Sequence, residues 1–417
     1  MMIELEKPME WLADLLTAVL IACFSIFAEI PGGRYVSIGL SLLILLLKTR
    51  GYFEVEIEPY FIFSILMVLF VFVSSLWAGI PSLSIIKARD MGAILIYFIL
   101  LYQAYKNDKN TCNLMRSFKW SGYIATFYVI RYCGIRMILH MLLNSDRLGG
   151  TIGNSNGWGM AIAFGCSFEF YEICRRKRFT WTSPLLIPAI LVIAATQSRK
   201  GMLIIVIAFA LSLCFYSFNR NNIPKSVISI LGVAAIIAVL LYLMKTSTIF
   251  SGIYHRMEFL FNYVKGEGEV GGSIKQRDQM IRIGWEQFLR TPILGVGIAN
   301  AGEVIRTYND VYYPYLHNNF VELLCCGGAI GFLIYYSRYF YIVYRLFKKR
   351  FVMDEGFFPC LILCILFLII DYGCVTYFEK QFQVYFVLLF LQVRKTEPGA
   401  TVEVEEKSIR KYRYLIN

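Results

Sequence analysis

The chain has 417 residues, 58% of them hydrophobic and 17% charged, with a mean hydropathy of +0.58. That is too apolar for a soluble globular protein of this length, and the apolar runs are continuous rather than alternating, which excludes a β-barrel. The net charge of +12 lies mostly in short loops and tails between apolar segments, the positive-inside pattern of a membrane protein rather than a nucleic-acid-binding patch.

These limits define an all-α polytopic integral membrane protein. At the start, Glu4, Glu6 and Glu10 stand against Lys7. A cleaved signal peptide needs a basic start and a small-residue cleavage site, and neither is clear, so the first span is expected to be retained. Twelve spans are predicted, at 11–30, 34–48, 59–79, 86–105, 118–139, 154–174, 180–197, 201–219, 224–244, 316–344, 357–373 and 377–393. Their apolar windows approach the roughly 20 residues that cross a bilayer core as helix. The fifth carries Arg131 and Arg136 within its run.

Basic residues orient the spans. Lys48 and Arg50, then Lys106, Lys109, Arg116 and Lys119, then Arg175 to Arg178, then Arg220 and Lys225, then Arg345 to Arg350, and the tail from Arg394 to Arg413 fall on one side if the spans number twelve. That side is cytoplasmic and holds both termini. The expected division is 1–244 as spans one to nine, 245–315 as a long extracytoplasmic loop, 316–393 as spans ten to twelve, and 394–417 as a cytoplasmic tail. No internal repeat is evident. Cys23, Cys166, Cys214, Cys360 and Cys364 sit in apolar spans as small hydrophobes, and the chain has no Cys-x-x-Cys pair, which argues against disulfides or structural zinc.

Five places on the outer side attract chemistry. Asp146-Arg147-Leu148-Gly149-Gly150 and Asn154-Ser155-Asn156-Gly157 mark a turn; Arg147 is either a plain exposed charge or part of an anion site. Ser198-Arg199-Lys200-Gly201 places two cations in a tight outer turn, against the positive-inside bias. They are either a snorkelling pair at headgroup level or a phosphate site, for which the planar guanidinium fork is suited. His255 lies beside Arg256 in the long loop. Further along, Ile281, Trp285 and Phe288 follow helical spacing on an amphipathic stripe that begins at Arg277 and ends in the turn Thr291-Pro292-Ile293-Leu294-Gly295-Val296-Gly297. Lastly, His317 precedes Asn318 where the chain re-enters the membrane. A helix N-terminus there favours bound anions and a neutral imidazole, the form needed in a general base, although a polar interfacial cap is the ordinary alternative. Gly327-Gly328 and Gly331 in the following helix are expected to serve close packing.

This set resembles the O-antigen polymerase and O-antigen ligase family of bacterial membrane glycosyltransferases. The residues that carry the resemblance are Ser198 to Gly201, Arg277 through Trp285 into Pro292-x-x-Gly295-x-Gly297, and His317-Asn318-x-Phe320 through Leu324 to Gly328-x-x-Gly331, with Arg147 and the Asn154/Asn156 turn before them. It runs from about Arg147 to Arg350. One departure is Cys326, where the family often has an acidic residue. The resemblance implies a glycosyltransferase C-like bundle in a bacterial cytoplasmic membrane, an undecaprenyl-pyrophosphate-linked oligosaccharide as substrate, and no cofactor, metal or nucleic acid. It implies His317, Arg199 and Arg277 as catalytic residues and Arg147, Lys200, Arg256 and Asn318 as substrate-binding ones. Membrane lipid, a chain-length regulator and a flippase are the partners it brings with it. A polymerase of repeat units is the first expectation and a ligase the second; a lipid-linked sugar transporter or flippase is the alternative from another class.

Overall fold

The computed structural model describes residues 2–26, 33–52, 55, 57–108, 111–144, 146–148, 154–217, 231–232, 235, 238–239, 242, 245–269, 271–309, 313–348 and 356–395. All regular structure among them is helical. The helices are α1 (Met2–Ile26), α2 (Gly33–Thr49), α3 (Pro59–Val73), α4 (Pro81–Tyr105), α5 (Cys112–Cys133), α6 (Ile135–Leu143), α7 (Ser155–Arg176), α8 (Leu186–Thr196), α9 (Arg199–Ser217), α10 (Thr248–Lys265), α11 (Gly272–Arg290), α12 (Ala301–Asn309), α13 (Asn319–Lys348), α14 (Phe357–Asp371) and α15 (Lys380–Lys395). Short 3-10 turns extend α3 and precede α8.

Among the described residues, three helical stretches, Pro59–Leu76, Arg199–Tyr216 and Asn319–Lys348, are long and apolar enough on their own to cross a membrane, and the α5–α6 pair passes as one broken span. The protein is a helical membrane protein. Most of the predicted ninth span, 224–244, and the tail after residue 395 lie outside the described residues. The fifth predicted span is not one straight helix. It turns by 90° between α5 and α6 at Gly134, whose φ of 78° takes the chain out of the right-handed helical region at little steric cost.

Packing centres on α7, which lies against α5, α8 and α9. Gly159 of α7 meets Gly201 of α9 so closely that a side-chain carbon on either would overlap the other strand of contacts: Ser198 on one side and the Gly159 carbonyl on the other. Small residues at a crossing allow this backbone approach. Below it, Phe118 stacks between Phe168 and Tyr385, with ring centroids 5.6 Å and 4.4 Å away.

Two features place the re-entry point of α13. The first is a helix break. Gly328 has φ 58° and ψ −165° inside α13, and the turn segment 292–297 pairs with the backbone groups around the break. Val296 and Gly297 N–H donate to the carbonyls of Cys325 and Cys326 at 3.0 and 2.9 Å, and Ala329 and Ile330 N–H donate to Pro292 and Ile293 at 2.8 and 3.2 Å. Irregular backbone at membrane depth needs such partners. The second is a buried polar network. Asn319 Oδ1 accepts the N–H groups of Thr376 and Tyr377, its Nδ2 donates to Tyr336 Oη, and Tyr336 donates to Asp371. Thr376 also donates to Asp371. The start of α13 is thereby tied to the loop between α14 and α15.

Candidate active site

Ser198 ends the α8–α9 turn and caps α9, its hydroxyl accepting the Gly201 N–H at 3.2 Å. Gln197 before it has φ 49°, so the chain reverses within two residues. The turn delivers Arg199 to the first position of α9. Its Nη1 donates to the Arg256 carbonyl on α10 and its Nη2 to Ser273 Oγ on α11, both at 3.4 Å. Arg147 comes from the segment before α7. Leu148 N–H donates to Ala195 O at 2.8 Å, which pins that segment to the end of α8. Arg147 then donates to Thr196 O at 3.2 Å and Asn156 Oδ1 at 3.0 Å. Asn154 caps α7 through bonds from the N–H groups of Asn156 and Gly157.

Four guanidinium groups from four parts of the chain therefore share one place. Arg199 feels the charges of Arg256, Arg277 and Arg147. Arg256 and Arg147 are both pushed below the usual arginine range, first by burial and then by neighbouring arginines. The charges that these residues meet are other cations. Like charges at this spacing repel, and an anion between them would convert the repulsion into several charge-assisted hydrogen bonds worth roughly 1.5–3 kcal/mol each.

His317 borders this cluster. It is half-buried with φ 60°, between a buried Leu316 and a buried Asn318. Leu316 N–H donates to Glu322 Oε2 at 2.7 Å, and Asn318 Oδ1 accepts the Val321 N–H at 3.0 Å. These two bonds form a reciprocal helix cap that fixes the turn. α11 presses on it through Gly284, against Leu316 and Val321. The Tyr315 ring stands edge-on to the imidazole, 4.5 Å between centroids. Burial first, and then the Arg277 and Lys200 cations, push the His317 imidazole down to about 4. It is neutral at pH 7 and able to accept a proton.

The predicted residues divide into two groups. Arg147, Arg199, Arg256, Arg277 and His317 are brought together. Lys200 is turned away from the arginines: its ammonium donates to the Gly373 carbonyl and lies 2.8 Å from Cys374 Sγ. Asn318 spends its carbonyl oxygen on the cap. His255 is exposed, with Nδ1 3.3 Å from Glu258 Oε2 on the same helix. Cys326 is buried, and its backbone carbonyl serves the helix break. Among the described residues no group of three or more His, Cys, Asp or Glu side chains is placed to hold a metal ion. Sequence reasoning missed Ser273, Tyr315 and the loop carrying Gly373 and Cys374. The signal for that loop in the sequence was Asp371 and Gly373 at the end of the eleventh predicted span and Glu379 and Lys380 at the start of the twelfth.

Residues 184–336 match a family model described as O-antigen ligase. This stretch is similar to the O-antigen ligase family. It runs from the start of α8 to the middle of α13, so it contains Arg199, Lys200, Arg256, Arg277, His317 and Asn318, while Arg147 reaches in from outside it. The O-antigen ligase family is made up of glycosyltransferase-like enzymes of polysaccharide assembly. No curated protein matches the chain.

Proposed function

We propose that the protein is a polymerase that joins undecaprenyl-pyrophosphate-linked oligosaccharide repeat units into a surface polysaccharide, an O-antigen or capsule. The observation that carries this reading is the cluster of Arg147, Arg199, Arg256 and Arg277 beside a neutral His317. A pyrophosphate diester offers the charge that four arginines lack. The imidazole of His317 takes the proton of an acceptor sugar hydroxyl, whose oxygen attacks the anomeric carbon. The bond from that carbon to the pyrophosphate oxygen breaks, and undecaprenyl pyrophosphate leaves with the electron pair. Arg199 and Arg277 offset the charge gathering on it. Arrival of the anionic donor opposes the effect of Arg277 and Lys200 on His317 and makes the imidazole a stronger base when it is needed.

The topology belongs to the same proposal. Twelve spans, both termini in the cytoplasm and residues 245–315 outside would put the cluster on the outer face of a bacterial cytoplasmic membrane, where lipid-linked repeat units are joined. A flippase that delivers the donor and a chain-length regulator are the partners this chemistry requires. A ligase that transfers finished glycan to lipid A core or to protein is the second reading, favoured by the description of the family over residues 184–336. Both use the same donor chemistry.

The test is the size profile of surface and carrier-linked glycan in cells lacking the gene, complemented with wild type or His317→Ala. A polymerase predicts single repeat units on the acceptor, with a ladder restored only by wild type. Finished polymer stranded on the carrier would identify a ligase. A full ladder with His317→Ala would end the catalytic role of His317.

A further inference from the structure

The proposed reaction leaves a second cationic cavity unused. α7 has 22 residues and is about 33 Å long. Its first residues adjoin Arg147, and its last, Arg175 and Arg176, lie at the opposite end of the molecule. There a cavity of ≈ 300 Å³ opens between α5 and α7, lined by Arg116, Lys119, Arg175 and Arg176 with Glu172 among them. Phe168 and Tyr171 form an apolar wall.

The charges in this cavity do not cancel. Lys119 is buried, with Nζ 2.7 Å from Glu172 Oε2 and 3.2 Å from Glu169 Oε2. It also donates to Thr182 Oγ1 at 3.1 Å. Three partners for three protons leave this ammonium nothing further to donate. Glu169 is itself held by Thr182 and Ser183. Arg176 takes the other oxygen of Glu172 at 2.6 Å. Both carboxylates are thus committed to Lys119 and Arg176, and they form a fixed floor. Arg116 lines the same cavity, is exposed, and meets no carboxylate among the described residues. Arg175 adds a second guanidinium to the lining. A rigid floor, a lining with more cations than carboxylates and an aromatic wall at a helix-bundle end make a recess for a phosphate group joined to something apolar.

We propose that this cavity binds a phosphate ester, supplied by the headgroup of an anionic phospholipid in the adjacent leaflet. Basic recesses between transmembrane helices on the positively charged side hold such headgroups. The orientation proposed above makes that leaflet the cytoplasmic one, across the membrane from the arginine–histidine cluster. The inference does not depend on the reaction assigned to that cluster.

The test uses the full-length protein in mixed micelles and reads bound lipid by native mass spectrometry. Phosphatidylglycerol should be retained in preference to phosphatidylcholine. The double variant Arg116→Ala/Arg175→Ala should weaken that retention by roughly thirtyfold, from about 1 kcal/mol per arginine. Arg178→Ala, outside the lining, should behave as wild type. Arg116→Ala alone alters an exposed side chain, leaves the fold intact, and should cost about fivefold on the same scale. Millimolar inorganic phosphate separates the two sources of the ligand. Lipid that stays bound supports the headgroup, and lipid displaced in an Arg116-dependent way supports the site with soluble phosphate as its ligand. Equal retention of the two lipids by wild type, or an equal loss in Arg178→Ala, would overturn the proposal.

Discussion

His317 holds a left-handed backbone conformation, φ 60°, which non-glycine residues adopt rarely and at a cost of order 1–3 kcal/mol. The surrounding bonds repay that cost: the Leu316 and Asn318 caps fix the turn from both sides. The result is an imidazole set against Tyr315 and within reach of the Arg277 charge. Because burial is the larger cause of its depressed basicity and Arg277 the next, Arg277→Ala should raise the His317 titration above about 4 but leave it below the ordinary value of 6.5. The chain has three histidines, so ring resonances assigned with His317→Ala can follow this by NMR. An unmoved midpoint would separate Arg277 from His317. Arg199 permits a different test. Its guanidinium bridges α10 and α11 through two nitrogens, which an ammonium cannot do in that geometry. Arg199→Lys should keep the net charge yet lose about 1.5–3 kcal/mol of donor binding, the worth of one charged hydrogen bond. Unchanged affinity for a polyprenyl pyrophosphate would argue that Arg199 acts as a point charge.

The helix α13 shows how an element differs from its sequence pattern. Gly327, Gly328 and Gly331 were expected to allow helix packing, and Gly331 does so against Phe70. Gly328 has a different task. Its backbone is in a region open essentially to glycine alone, and a side-chain carbon there would collide with the Ile293 carbonyl. The turn Thr291 to Gly297 was legible as a turn. Its pairing with the broken helix was not, because the partners lie about thirty residues apart and nothing local records which carbonyls are freed. Gly328→Ala should therefore destabilise the protein by about 1–3 kcal/mol, read as a lower midpoint of thermal unfolding in detergent. Gly39, which has open space around it, supplies the control. Equal midpoints for Gly328→Ala and Gly39→Ala would mean that the break is not held as described.

Across the molecule, Arg199 and Lys200 were legible because two cations in a tight outer turn are anomalous in a membrane protein. Arg147 and Arg277 are far apart in sequence, and each was singled out by its own local setting: a turn rich in glycine and asparagine for Arg147, the stripe of an amphipathic helix for Arg277. The network of Asn319, Tyr336, Asp371 and Thr376 was not legible. Its members are ordinary residues at span ends, and their partners are set only when α13, α14 and α15 meet. The proposed topology links this geometry to where the chemistry takes place. Gly266 and Lys177 each end a helix in a left-handed turn, at the close of α10 and α7 respectively, and such exposed tips tolerate insertion. An epitope inserted after Gly266 should be reached by antibody in intact spheroplasts, while one after Lys177 should be reached only after permeabilisation. If both are reached from the same side, the span count between them is wrong by one, and the arginine cluster can no longer be assigned to the outer face. If the accessibilities are reversed, His317 faces the cytoplasm, and a donor presented on the outer leaflet could not reach it.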